Sequence, residues 1–140
     1  MTKTRLEAFS DGVIAIIITI MVLELRPPSA MDWHSLRPLA PVFLSYLLSF
    51  VILGEYWANH HHVLQAVKHV GGTALWANLH LLFWMSLYPF ATSWLGKTNF
   101  ESIPLFFFGV IQFCSAVAYF VLVRILIRDN SNDSPLVIAV

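Results

Sequence analysis

The N-terminal stretch carries Arg5, Glu7, Ser10 and Asp11 just ahead of an apolar run from Gly12 to Leu23. Ionisable groups at the edge of a membrane helix are costly and are kept where they are paired or wet. On a helical wheel at about 100° per residue, Arg5, Phe9, Ile20 and Leu23 fall within about 40° of Ile16. Ser10 and Asp11 lie off that face, toward neighbouring helices. One stripe is thus basic at its mouth and aliphatic deeper in. Two readings stand for Arg5, Glu7 and Asp11: partners in a polar contact with other helices, or interfacial side chains that snorkel to water.

A second polar group is the run Trp57-x-Asn59-His60-His61-His62. Consecutive histidines suggest a metal, but helical neighbours point about 100° apart and cannot converge on one ion, whereas metal-binding helices use i, i+4 pairs. No cysteine or second histidine pair completes a set, so no metal is expected. The histidines are read as hydrogen-bond partners for the first and third helices, each such bond contributing about 0.6–2 kcal/mol in lipid, with titration as a further possibility for that chemistry. Asn78 and His80 have the same reading of interhelical glue. Glu24 is either an interfacial acid or part of a cation-attracting ring in an oligomer. There is no nucleophile–base pairing, glycine-rich phosphate loop or carboxylate dyad. No catalytic residue and no cofactor are expected.

These groups sit in a chain built for lipid. Of 140 residues, 58% are hydrophobic and 11% charged, against about 25% charged in soluble domains. A soluble domain of this size could not hide so much apolar surface, because small domains bury only about two-thirds of it. Net charge is zero, with eight basic and eight acidic residues. No basic tract marks a nucleic-acid partner. Cys114, the single cysteine, lies in an apolar run and is read as a packed small hydrophobe.

Four apolar segments are expected as helices over about 6–25, 36–65, 73–95 and 103–127, in one transmembrane domain spanning 1–140. A spanning backbone must satisfy its own hydrogen bonds, and no period-2 alternation suggests a barrel. The fold class is therefore all-α, a polytopic transmembrane bundle. Pro27 and Pro28 stop the first segment, since proline lacks a donor and clashes with the preceding turn. The first segment is read as a retained helix rather than a signal peptide, because Glu7 and Asp11 interrupt its approach and no small-residue cleavage site follows. Trp33, Tyr56, Trp57, Trp76, Tyr88 and Trp94 gather near segment ends, as an interfacial belt does. With the N-terminus inside, Lys3, Arg5, Lys68, Arg124 and Arg128 lie inside and Arg26, Arg37 and Lys97 outside. That bias places both termini in the cytoplasm. Residues 135–140, Pro135 followed by an apolar run, read as the start of a further helix or as a loose terminus.

The string Arg5-x-x-x-Phe9-Ser10-Asp11 at the head of an apolar helix resembles the signature of the TMEM175 family of potassium channels, in its prokaryotic form. Trp57-x-Asn59-His60-His61 and the third-segment Trp76-x-Asn78 through Leu87-x-Pro89-Phe90 resemble that family too, so the likeness covers about two-thirds of the chain. The resemblance implies a potassium-permeable cation channel in the cell membrane. It implies a homotetramer in contact with membrane lipid, a pore lined by the first helix, and potassium as the permeant ion. It implies a constriction at Ile16, Ile20 and Leu23, with Thr19 as a hydroxyl near the pore. Arg5, Ser10 and Asp11 would anchor a polar network whose candidates are His60, His61, Trp76 and Asn78, and which histidine takes part stays open. A ring of isoleucines makes a dry neck that gates by dewetting and demands ion dehydration. The family repeat has six membrane helices against the four counted here, and His62 stands where a basic arginine is commoner.

A different class fits the size as well. A small proton-coupled multidrug exporter needs a membrane-embedded acid, for which Glu24 and Glu55 are the candidates. Both are read as lying near segment ends.

Overall fold

The structure, a computed structural model, describes residues 1–131. The expected further helix over 135–140 lies outside the described residues. Every regular element among those described is helical: α1 Lys3–Met21, α2 Ala40–Ala66, α3 Gly72–Ser86, α4 Tyr88–Lys97 and α5 Ser102–Asp129. A 3₁₀ turn, Val22–Glu24, extends α1, and a 3₁₀ helix, Trp33–Leu39, leads into α2. Three of these stretches, Lys3–Glu24, Trp33–Ala66 and Ser102–Asp129, are each long and apolar enough to cross a membrane.

The third apolar segment departs from the expected single helix over 73–95. It divides at Leu87 into α3 and α4. Pro89 supplies the cause: it has no N–H to donate back to Met85, and its ring opposes the carbonyl four residues earlier. The chain resumes at once, with the Ala91 N–H donating to the Leu87 carbonyl at 3.1 Å.

Local signals fix the other ends. The Thr2 hydroxyl accepts from the Arg5 N–H at 3.3 Å, and Asp32 Oδ1 accepts from the Ser35 N–H at 2.9 Å, each an N-terminal cap. α4 ends with Asn99 in the left-handed region (φ 52°). The Phe100 N–H then reaches the Leu95 carbonyl at 2.9 Å and the Asn99 N–H reaches Gly96 at 3.3 Å. That pairing satisfies carbonyls a helix end otherwise leaves bare.

The chain runs up and down through the bundle. At one end the Lys3 ammonium donates to the Gln65 carbonyl at 3.1 Å. There too Asn130 Oδ1 accepts from the Lys68 and His69 N–H groups at 3.0 Å each. At the other end Lys97 pairs with Glu24 at 2.7 Å. α3 packs along α5 and α2 along α4, while α1 touches α2, α3 and α4. The α2–α4 approach is backbone-close: a Cβ on Gly96 would overlap the Ser45 hydroxyl and come within 2.8 Å of Val42 Cα. Between the layers lie Leu6, Leu53, Leu81, Met85, Tyr88 and Leu122, all buried, with Tyr88 edge-on to Phe108 at 5.8 Å.

Candidate functional site: the first helix and its polar clasp

α1 has two unlike sides. Leu6, Ser10, Ile14, Ile17 and Met21, spaced at helical intervals, are buried against the other helices. Ile16 is 59% exposed, Ile20 46% and Leu23 71%, with Phe9 and Arg5 exposed on the same stripe. The subunit therefore covers one face of this helix and leaves the isoleucine face bare. Thr19 is exposed beside it, its hydroxyl donating back to the Ala15 carbonyl at 2.9 Å.

The buried face is held by a polar chain through three helices. Asn78 of α3, wholly buried, donates through Nδ2 to the Ser10 hydroxyl at 2.9 Å. Ser10 passes its own hydrogen to the Leu6 carbonyl at 2.8 Å. Asn78 Oδ1 lies 2.6 Å from His60 Nε2 of α2. With the amide set this way, Nε2 must carry the hydrogen and donate it. His60 is 1% exposed. A polar relay buried away from water stabilises only when its members are paired, and this one fixes α1, α2 and α3 in one relative depth and rotation.

A second, shallower contact joins α1 to α2. Trp57 Nε1 donates to Asp11 Oδ1 at 3.0 Å, and His61 Nδ1 lies 3.0 Å from Glu7 Oε1. The two histidines thus divide: His60 serves Ser10 through Asn78, and His61 faces the carboxylates. Trp76, named with the network from its sequence, stands apart at 73% exposed. Asn59 is exposed and lines a cavity of about 240 Å³ with Ile52, Glu55, Tyr56, Gln112, Ala116 and Tyr119. Glu55 falls near the middle of α2, not near a segment end. The helix carries the polar run as a continuous part of its length, within the expected bounds of about 36–65, so Glu55 lies well inside it. His80 is used within its own helix, accepting from Trp84 Nε1 at 2.9 Å.

The sequence reading passed over several polar contacts. Ser49 and Thr92 meet at 2.6 Å between α2 and α4, with the Thr92 hydroxyl 3.7 Å from Met21 Sδ. Ser45 and Ser49, one turn apart in an apolar helix, were the available signal. Glu24 accepts from the Ser93 hydroxyl at 3.1 Å beside its Lys97 pair, so its carboxylate is tied to α4.

Apolar helices, a bare aliphatic face and a buried polar tether at one end define a polytopic α-helical membrane protein. The family profile described as endosomal/lysosomal potassium channel TMEM175 matches residues 5–89. The chain is 55% identical over 136 residues to a protein named potassium channel from Chryseobacterium sp. (strain P1-3), covering 97% of this chain and 71% of that one. It is 37% identical over 97 residues to one named potassium channel from Streptomyces collinus, covering 66% of this chain but only 47% of that protein. It matches the crystal structure of a lysosomal potassium-selective channel TMEM175 homolog from Chamaesiphon minutus with a TM-score of 0.82 at 29% identity, over 93% of this chain and 74% of that one. The chain belongs to the TMEM175 family, a family of ion channels and not of enzymes.

Proposed function

We propose that the chain is a subunit of a potassium-permeable channel of the cell membrane that conducts passively. Copies of α1 meet at a symmetry axis, in a homotetramer surrounded by lipid. Ile16, Ile20 and Leu23 form the constriction, Thr19 lies beside it, and potassium passes as the permeant ion with no cofactor. The observation that carries this reading is the division of α1: one side is packed and hydrogen-bonded, and the other, aliphatic and bare, is open to a neighbouring copy. An open groove beside Ile20, lined by Glu24, Pro89, Phe90, Ser93 and Trp94, offers that copy an apolar seat. The relatives named potassium channel support the choice of ion. A neck of branched aliphatic side chains excludes water, so a permeating ion must shed hydration there, and the larger potassium ion does so at lower cost than sodium. Lys3, Arg5, Lys68, Arg124 and Arg128 favour a cytoplasmic N-terminus.

Purified protein in liposomes should pass potassium with a reversal potential that follows the potassium gradient. Correctly folded protein without such flux would remove the proposal. The exporter reading retains one observation, the mid-helix Glu55 in its polar cavity. Proton-coupled drug transport abolished by Glu55→Gln would favour it, and transport that survives both Glu24→Gln and Glu55→Gln would exclude it.

A further inference from the structure

Glu7 and Asp11 stand one turn apart on α1, and His61 reaches them from α2. One carboxylate oxygen from each acid and one imidazole nitrogen all lie within 4.8 Å of one another, and all three residues are half-buried. His61 Nδ1 is shielded from water and makes no aligned hydrogen bond, although Glu7 Oε1 is only 3.0 Å away. Two carboxylates one turn apart on a helix repel, and the imidazole beside them presents a ring nitrogen able to give a lone pair to a cation. A divalent cation resolves both.

We propose that Glu7, Asp11 and His61 form a divalent transition-metal site of the zinc class that bridges α1 and α2. The donor set selects the metal. One nitrogen and two carboxylate oxygens suit zinc, whereas calcium and magnesium take oxygen alone. Metal–ligand bonds of about 2.0–2.2 Å need ligand atoms about 3.4 Å apart in a tetrahedron, which small side-chain rotations supply from the present spacing. Each side of the site already has the outer support that metal ligands use. The His61 ring stacks on Trp57 at 5.8 Å with 23° between planes, and Trp57 Nε1 holds Asp11 Oδ1. Three protein ligands leave the fourth position to water. The argument against the histidine triplet still holds for the triplet itself: His60 is committed to Asn78, and the site takes one histidine only. The assignment does not depend on which ion the channel conducts.

The test is zinc chloride titrated into the full chain in detergent, by calorimetry with a chelator competition. One zinc per chain is expected. His61→Ala and Glu7→Gln should each weaken it tenfold or more, while His34→Ala and His80→Ala leave it unchanged. Zinc X-ray absorption of the wild-type protein should show one imidazole nitrogen among oxygens, a readout that needs no variant to fold. Absence of binding at millimolar zinc would leave a plain imidazole–carboxylate contact and overturn the proposal. Two or more imidazoles on the metal, or binding that survives both variants, would overturn it as well.

Discussion

Asn78 is the hub through which α1 is fastened to α2 and α3, and its removal is the sharpest test of the clasp. Asn78→Ala deletes two side-chain hydrogen bonds, to Ser10 at 2.9 Å and to His60 at 2.6 Å. Side-chain bonds between membrane helices average about 0.6 kcal/mol and reach about 1.7, so the pair accounts for about 1–3 kcal/mol. His60 is 1% exposed and its Nδ1 has no partner among the described residues. Losing Asn78 would leave the other nitrogen unpaired too, adding about 1–3 kcal/mol of uncompensated desolvation. The expected loss is therefore about 2–6 kcal/mol. Unfolding in bicelles, followed for the wild type, Asn78→Ala, His60→Phe and the double variant, gives the coupling directly. A coupling of about 0.6 kcal/mol or more is expected between the two sites. Strictly additive losses, or an Asn78→Ala variant as stable as the wild type, would refute the relay.

Three further outcomes follow from the packing. Gly96→Ala should destabilise the protein by about 1–3 kcal/mol in the same unfolding assay, because the new methyl group meets Ser45 and Val42 with no room to move apart. Asn130→Ala should cost about 1–3 kcal/mol and raise amide exchange at Lys68 and His69, whose N–H groups it now accepts. Ile16→Asn should raise potassium conductance in reconstituted liposomes by wetting the proposed neck, and unchanged conductance would show that Ile16 is not the constriction.

Much of the fold was legible because lipid imposes few choices. Long apolar runs must be helices, and Pro27, Pro28, Gly71 and Gly72 mark the breaks between them. The division at Leu87 was less plain. Pro89 near the end of an apolar run reads as easily as a late stop as it does as the start of a new helix, and the backbone settles it by resuming through Ala91. For the site, Arg5, Phe9, Ser10 and Asp11 pointed to the head of α1, but the partner of each side chain depends on how neighbouring helices are turned and at what depth they lie. A one-residue rotation of α2 would exchange His60 for His61, and nothing in a run of histidines distinguishes them. The structure supplies that rotation: His60 faces inward to Asn78 and His61 outward to Glu7. Trp76 shows the same limit, since its neighbour Asn78 is buried while it stands on the outer face of α3. The Ser49–Thr92 contact was legible on one side only: Ser45 and Ser49 mark the polar face of α2, but nothing in the sequence singles out Thr92, far along the chain, as the partner.

The central claim, that the bare face of α1 lines an ion path, has a direct test. In a Cys114→Ala background, Ile20→Cys is reconstituted and potassium flux is followed before and after a water-soluble, charged thiol reagent. The account predicts that flux falls as the thiol is modified, and that the same reagent leaves the buried-face variant Ile17→Cys unaffected. An Ile20→Cys channel that conducts and keeps its full flux after the reagent would contradict it.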